Sequence, residues 1–300
     1  MHKSALSILS NVVHGYVGNR AVVFSLQSYG WNVDAIHTTE FLNHPGYGQF
    51  KGQKTGSDTV ADLFRGLRDI LDLKKEYSLI LVGYCPSAEV MSTIYREITP
   101  MLKTGIEKEK PVLVVDPVLG DNGRLYVPQE IVEAHVSFLK LGLVDMTTPN
   151  QFELELLTGI QMSSWTTVRE AFVTFYEKYH VPNVVLLSVV LDGQMFGVGF
   201  SKESESIFGI PIPTIDCRFS GCGDVFTALI THAFCKNDYK LTPIILGQVL
   251  AKLGRILSIS YDEEKAKIGE SPVVIQDVRL MQLRNIFDET ESLKYDVIYI

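Results

Sequence analysis

The stretch VLVVDPVLGDNG, residues 112–123, joins an uninterrupted apolar run to a turn that carries two aspartates and two glycines. A continuous apolar run of this kind is typical of a strand that is buried on both faces of a parallel sheet. Similar runs recur along the chain and alternate with segments of helical periodicity, which predicts βαβ units. The predicted strands cover residues 5–9, 32–38, 79–82, 112–115, 143–146 and 184–187.

The segments between these strands carry the apolar spacing of helices. Apolar residues recur three and four positions apart after Ser57, a predicted N-cap, and again after Asp224. The other predicted elements are helices over residues 165–179 and 242–259, an antiparallel edge over 194–211, a solvated acidic tail over 288–296 and a last strand over 297–300. We therefore expect residues 1–300 to form one doubly wound α/β domain, with a mostly parallel central sheet flanked by helices.

Composition and charge restrict the class of protein. Hydrophobic residues make up 46% and charged residues 21%, as in ordinary globular proteins. The net charge of −8 argues against nucleic acid or an anionic membrane as the main partner, because both require a basic surface. The sequence has no run of 18 apolar residues, no pattern of a cleaved signal, and four scattered cysteines. These features predict a cytoplasmic protein, with the nucleus as a second compartment.

A glycine turn stands directly before one apolar-striped helix, as Gly221, Cys222, Gly223 and Asp224. The glycines allow a tight turn whose N–H groups face an anion, and the helix dipole favours negative charge there. Asp224 would then accept a proton from an attacking hydroxyl. The alternative is that Asp224 only complements the helix dipole, and the local pattern leaves both interpretations open.

Carboxylates also follow the quoted strand. Asp116 and Asp121 would supply oxygen ligands for a hard cation such as Mg²⁺. The alternative is a surface turn whose aspartates only accept backbone hydrogen bonds. Farther along, Asn150 and Glu153 have the spacing of a capping box, which explains both residues without a ligand. The functional alternative places Glu153 at a metal-bound phosphate.

The segment HGYVGNRA, residues 14–21, would present a small-molecule pocket near Ser10. Its glycine spacing is not that of a dinucleotide fingerprint, and residues 46–55 lack the lysine of a Walker loop. The cysteines and His232 do not have the spacing of a common zinc site. The sequence has no G-x-S-x-G motif, which argues against an α/β-hydrolase.

The order of these motifs is more specific than any one of them. Over nearly its whole length the chain resembles the pyridoxal (vitamin B6) kinase family, whose fold is ribokinase-like. The matching blocks are VHGYVGNRA (13–21), NHPGY (43–47), GY (83–84), DPVLGD (116–121), LYVP (125–128), TPNQFE (148–153) and GCGD (221–224).

The resemblance implies a homodimer that phosphorylates the 5′-hydroxymethyl group of pyridoxal, pyridoxine or pyridoxamine with ATP and Mg²⁺ or another divalent cation. Asp224 matches the catalytic base, and the N–H groups of residues 221–223 match an anion hole. The residues that match the vitamer pocket are Ser10, Val17, Phe41, Pro45 and Tyr84. Those that match the nucleotide site are Asp116, Tyr126, Asn150, Glu153, Ser188 and Cys222. Those that match metal contacts are Asp116, Asp121, Glu153 and, for a monovalent K⁺ or Na⁺, Thr148.

Four residues depart from the family pattern. Pro45 and Cys222 each stand where a threonine is usual, and Leu42 stands where a serine is usual. Leu187 replaces a common threonine near the nucleotide, which leaves Ser188 as the candidate nucleotide contact at this point. Two other interpretations stay open: a hydroxymethylpyrimidine or sugar kinase of the same fold, and a weakened protein that binds vitamer or nucleotide with little turnover.

Overall fold

A computed structural model describes residues 3–103, 110–291 and 296–300 of the chain. In chain order its strands are β1 (Ser4–Val12), β2 (Asn32–Phe41), β3 (Gly52–Lys54), β4 (Leu79–Val82), β5 (Val112–Val115), β6 (Gly120–Asp121), β7 (Arg124–Leu125), β8 (Met146–Thr147), β9 (Asn183–Leu191), β10 (Gln194–Ser201), β11 (Ser206–Ile212), β12 (Arg218–Phe219), β13 (Val274–Ile275) and β14 (Ile298–Tyr299). Within the described ranges, ten strands form one sheet in the order β3-β2-β1-β4-β5-β8-β9-β10-β11-β14. The pairs β6-β7 and β12-β13 stand apart from it.

The helices lie on both faces of this sheet. They are α1 (Asn19–Ser28), α2 (Ser57–Ile70), α3 (Leu73–Glu76), α4 (Ala88–Leu102), α5 (Gln129–Leu139), α6 (Gln151–Thr158), α7 (Trp165–Tyr179), α8 (Cys222–Lys236), α9 (Pro243–Ile268) and α10 (Asn285–Asp288). Alternate residues of β4 separate the two layers: Leu79 and Leu81 pack with α1, α8 and α9, whereas Ile80 and Val82 pack with α2, α4 and α5.

The central strands from β2 to β9 are parallel, and β3, β10, β11 and β14 add antiparallel edges. The predicted doubly wound α/β fold is therefore confirmed. Three predicted elements are observed with the same bounds: the strands at 79–82 and 112–115 and the helix at 165–179. The antiparallel edge is confirmed as the β10–β11 hairpin, and the last strand as β14. The predicted acidic tail is described as far as Glu291 and again from Asp296, and residues 292–295 lie outside the described ranges.

The strand predicted at residues 143–146 is wrong, because β8 comprises only Met146 and Thr147. The carboxylate of Asp145 accepts the Leu113 N–H at 2.8 Å, where the carbonyl of a neighbouring strand would otherwise bond. A side chain thus takes one hydrogen bond at the start of this ladder, while the Asp145 N–H still donates to the Leu113 carbonyl oxygen at 2.9 Å.

Two helix boundaries, the start of α2 and the end of α9, differ from expectation. The N-cap of α2 is Gly56, and Ser57 instead donates its hydroxyl to Glu89 at 2.6 Å. Thr242 is the N-cap of α9, which continues to Ile268 rather than to residue 259. By length and composition, α9 is the one helix in the described ranges that could cross a membrane, and 50% of its apolar window is buried inside the protein.

The chain order of the strands changes direction between β1 and β4, which are neighbours in the sheet. In open α/β sheets, ligands bind in the crevice outside the carboxyl ends of strands at such a switch point. Ser10 lies near the end of β1, and Tyr84 follows β4. The fold therefore directs the loops of the predicted site toward one edge of the sheet.

Asn19 joins β1 to β2 beside this edge. Its Nδ2 donates to the carbonyl oxygens of Leu9 (3.1 Å) and Ile36 (3.0 Å), and its Oδ1 accepts the Ser7 hydroxyl at 2.7 Å. The pairing register shifts directly after Leu9, so a buried side chain supplies hydrogen bonds where the ladder is irregular.

We expect Asn19→Ala to lower the free energy of unfolding by about 2–4 kcal/mol, because it leaves several buried polar groups without partners. Urea denaturation would measure the change. The matched control is Gln27→Ala, at an exposed position of the same helix, with an expected change within about 0.5 kcal/mol. Equal stability of both variants would show that water replaces the amide.

Candidate active site

The glycine turn before α8 packs directly against the loop after β1. Gly221 has φ +82°, and a Cβ there would lie 2.1 Å from the Tyr16 carbonyl oxygen. Gly18 has φ +54°, and a Cβ there would lie 2.3 Å from the Ser10 carbonyl oxygen. Only glycine accommodates both the backbone conformation and the close approach. The two glycines bring the loop after β1 to Asp224 in the first turn of α8.

Asp224 is poorly solvated in this position. Burial raises the pKa of its carboxyl group from the ordinary range to about 6, and a hydrogen bond from the Gly18 N–H partly offsets that rise. The carboxylate is therefore mostly ionised at neutral pH but is more basic than an ordinary aspartate. A group of this kind can accept a proton from a bound hydroxyl.

Asp116 lies at the end of β5 and is 7% exposed. Its Oδ2 accepts the hydroxyl of Thr227 at 3.0 Å, and the Thr148 hydroxyl lies 3.0 Å from the Thr227 hydroxyl. Three side chains from β5, the end of β8 and α8 thus form one connected chain of oxygens.

The electrostatic surroundings of Asp116 are unfavourable for a bare charge. Burial, followed by the charges of Glu153 and Asp224, raises the pKa of Asp116 well above its usual range. Hydrogen bonds from the Thr227 hydroxyl and the Val118 N–H oppose this rise. A bound cation would relieve the repulsion among the carboxylates.

Glu153 has the structural role that its spacing predicts, whereas its role at a metal-bound phosphate stays a prediction. The capping box is confirmed: Asn150 Oδ1 accepts the Glu153 N–H, and Glu153 Oε2 accepts the Asn150 N–H, each at 2.9 Å. Glu153 Oε1 also accepts the N–H groups of Leu119 (2.6 Å) and Gly120 (3.3 Å). It is 2% exposed, and burial raises its pKa although these three N–H groups oppose the rise.

Asp121 and Tyr126 lie at the rim of the carboxylate site. The two oxygens of Asp121 accept the backbone N–H and the side-chain amide of Asn122, at 2.8 and 2.9 Å. The Tyr126 side chain is 61% exposed. Burial, followed by the charges of Asp224 and Asp121, raises the pKa of the Cys222 thiol to about 11. These residues surround the buried carboxylates without closing over them.

The predicted metal contacts do not form a complete cage. Among the residues that the structure describes, no group of three or more His, Cys, Asp or Glu side chains could hold a metal ion. Mg²⁺ commonly binds through one or two carboxylates, waters and substrate phosphates, so the arrangement of Asp116 and Glu153 fits that mode.

The predicted vitamer residues come from the ends of β1 and β2 and from several loops near the switch point. Ser10 contacts Gly18, and Val17 lies beside Gly221. Phe41 is buried, with its ring centroid 4.9 Å from that of Phe50. The Tyr84 carbonyl oxygen accepts the hydroxyl of buried Thr38 at 2.7 Å, which fixes the turn after β4.

Pro45 begins an exposed 3₁₀ turn, Pro45–Tyr47, that is attached to the C-terminal part of the chain. His44 caps this turn, and its Nε2 hydrogen-bonds to the Gln276 carbonyl oxygen at 2.9 Å. The side chain of Asp277 accepts the Tyr16 N–H at 3.2 Å. The segment after β13 thereby holds two loops on the vitamer side.

Ser188 occupies a bulge in β9, where Leu187 and Ser188 together oppose Gly197 of β10. Leu187 packs against the apolar cluster on the α8 side of the sheet. The hydrogen bonds found among the described residues do not connect Ser188 to the carboxylates. Its predicted role at the nucleotide stays a prediction.

Sequence reasoning missed Thr227 and the Gly18 N–H. Thr227 follows Asp224 by three positions in a largely apolar helix, so a polar residue on the same helical face was an available signal. The Gly18 contact depends on how two distant loops meet, and no local pattern reports that.

A sequence model of the family described as phosphomethylpyrimidine kinase matches residues 83–243. Pyridoxal kinase of Arabidopsis thaliana is 33% identical over 304 residues, which cover 97% of this chain and 94% of the plant protein. Human pyridoxal kinase is 30% identical, with 95% of each chain covered.

A solved structure shows the same similarity in three dimensions. Pyridoxal kinase from Leishmania donovani, in complex with ADP and pyridoxine, aligns with a TM-score of 0.87 at 27% identity over 100% of both chains. Both of these relatives are named pyridoxal kinase, and the fold of this chain agrees with that of the solved structure. The chain belongs to the pyridoxal kinase family.

Proposed function

We propose that the protein transfers the γ-phosphoryl group of ATP to the 5′-hydroxymethyl group of pyridoxal, pyridoxine or pyridoxamine. The observation that carries this proposal is the position of Asp224, which lies at the start of α8 between a glycine turn and the loop after β1. The complex of ADP and pyridoxine with the Leishmania donovani kinase supports the same pair of substrates.

Each part of the site has a task in this reaction. Asp224 accepts the proton of the vitamer hydroxyl as that oxygen attacks phosphorus. The N–H groups of residues 221–223 hold the transferring phosphoryl group, with the dipole of α8 behind them. Asp116 and Glu153 would hold a divalent cation on the ATP phosphates, with Asp121 at the rim. That cation would neutralise phosphate charge.

The pyridine ring of the vitamer is flat and mainly apolar, which suits the surfaces of Val17, Phe41 and Tyr84. Ser10 supplies a hydroxyl beside them, and Tyr126 is exposed where it could cover the nucleotide. Family resemblance supports a homodimer located in the cytoplasm and the nucleus. Sedimentation of the purified protein and imaging of a tagged chain would test those two assignments.

One other activity has a specific observation in its favour. The matching sequence model over residues 83–243 is that of phosphomethylpyrimidine kinases, so a hydroxymethylpyrimidine is a second candidate substrate. The full-length relatives favour the B6 vitamers. Assays with both substrate classes under the same conditions would separate the two activities. Turnover of neither would favour a protein that only binds vitamer or nucleotide.

We expect Asp224→Asn to lower kcat by about 10² to 10⁴, because the amide cannot accept the proton. Thermal stability at pH 8 should not fall. The folded-state pKa of Asp224 lies above the unfolded value, so its ionised form costs stability above about pH 6, and the amide removes that cost.

The pH profile gives an independent check on Asp224. In the wild type, kcat/KM should decline as the pH falls through about 6, because protonation removes the base. Enzymatic assays and thermal melts between pH 5 and 9 would measure both quantities. Wild-type turnover with a lowered melting temperature in Asp224→Asn would assign Asp224 to the helix dipole alone.

We expect excess chelator to abolish activity and added Mg²⁺ to restore it, because the buried carboxylates and the ATP phosphates repel one another without a cation. Asp121→Asn should raise the Mg²⁺ concentration needed for half-maximal rate by about two- to tenfold. Asp62→Asn, at an exposed position of α2, is the matched control. Activity that persists in chelator would remove the divalent cation from the mechanism.

We expect Pro45→Thr to lower KM for pyridoxal by up to about tenfold, the value of one neutral hydrogen bond. Steady-state kinetics with all three vitamers would measure the effect. The native proline also pre-sets the first residue of the 3₁₀ turn. An unchanged or higher KM for every vitamer would show that the turn has adapted to proline.

A further inference from the structure

The hydroxyl of Thr227 stands between two residues of the carboxylate site. It donates to Asp116 Oδ2 at 3.0 Å, and the Thr148 hydroxyl lies 3.0 Å from it on the other side. Thr148 and Asp116 are at most 7% exposed, and Thr227 is 1% exposed. In such surroundings each hydrogen bond is strong, and each unpaired oxygen is costly.

This arrangement disagrees with one expectation from family resemblance, a monovalent cation beside Thr148. A hard cation needs several oxygen ligands at once. The Thr227 hydroxyl lies 3.0 Å from both Asp116 Oδ2 and the Thr148 hydroxyl, and so occupies the position between them that a shared cation would need. The residues present therefore do not fit a K⁺ or Na⁺ site at this point.

We infer that the Thr227 hydroxyl takes the place of a monovalent cation in this protein, so that its activity needs neither K⁺ nor Na⁺. The hydroxyl gives Asp116 a fixed donor and fills the space beside Thr148. Thr227 also follows Asp224 by three positions on α8, so the same contact ties Asp116 to the helix that carries the proposed base. Thr227 is a positioning residue, and the inference rests on the proposed kinase activity only for its kinetic test.

Three variants of Thr227 and one control distinguish the effect of the hydroxyl from the effect of the space that the side chain fills. Thr227→Ser keeps the hydroxyl, Thr227→Val removes it but fills the space, and Thr227→Ala removes it and opens the space. The matched control is Thr231→Ala, one turn farther along α8, where the buried hydroxyl has no hydrogen-bond partner among the described residues. All four are compared with the wild type in K⁺, Na⁺ and tetramethylammonium chloride at constant ionic strength.

The wild type, Thr227→Ser and Thr231→Ala should each show kcat values that agree within about twofold across the three salts. Thr227→Ala should lose about tenfold in kcat in tetramethylammonium and regain it in K⁺ or Na⁺, because a small cation can enter the opened space. Thr227→Val should lose activity in all three salts without rescue. If K⁺ and Na⁺ do not rescue Thr227→Val, the rescue of Thr227→Ala depends on the opened space and not on a general effect of salt.

Thermal melting without substrates supplies a readout that is independent of turnover. The melting temperature of Thr227→Ala should rise with K⁺ more than with tetramethylammonium, because a ligand that binds the folded state stabilises it. The wild type should respond equally to both salts. A wild type whose kcat or melting temperature specifically requires K⁺ or Na⁺ would overturn the inference. If no vitamer is phosphorylated in any salt, the proposed function fails, while the melting comparison still decides the role of Thr227.

Discussion

The carboxylates of Asp116, Glu153 and Asp224 share one poorly solvated region at the carboxyl edge of the sheet. Burial raises all three pKa values, and the charges of Glu153 and Asp224 raise that of Asp116 further, so each charge has to be offset by a nearby donor. Glu153 has three backbone N–H groups, Asp116 has a threonine hydroxyl and a backbone N–H, and Asp224 has the Gly18 N–H. Much of the loop structure of this edge follows from the need to supply those donors.

The donors reach the carboxylates because the backbone approaches closely at two glycines. Gly18 and Gly221 each leave no room for a side chain, so the loop after β1 and the start of α8 can meet at backbone distance. On the opposite side, Glu153 binds the N–H groups of Leu119 and Gly120 and thereby connects α6 to the loop after β5. The site is rigid where charge is concentrated, because each charged group also serves as a structural link between elements.

The sequence predicted the bounds of strands and helices well wherever the apolar pattern alone decides them, as in β4, β5 and α7. It failed on the bounds of β8, where the Asp145 carboxylate takes one hydrogen bond of the ladder, and no local pattern indicates that contact. The motif residues were found because they are clustered in sequence. Thr227 was missed because its importance comes from Asp116, which lies 111 positions away. For Asn150 and Glu153 the spacing alone predicted the capping box, because both partners of those hydrogen bonds lie within one turn of helix.

The attachment of the Pro45–Tyr47 turn to Gln276 also bears on how the molecule assembles during synthesis. The two partners are 232 positions apart, and the contact between Tyr16 and Asp277 spans 261. The links between Glu153 and the loop after β5 span only 33 or 34. Because the ribosome releases the N-terminal part first, the links around Glu153 can form early, while the vitamer side waits for nearly the whole chain. A chain shortened before residue 276 would thus retain the links around Glu153 and lack the contacts that hold the vitamer loops in place.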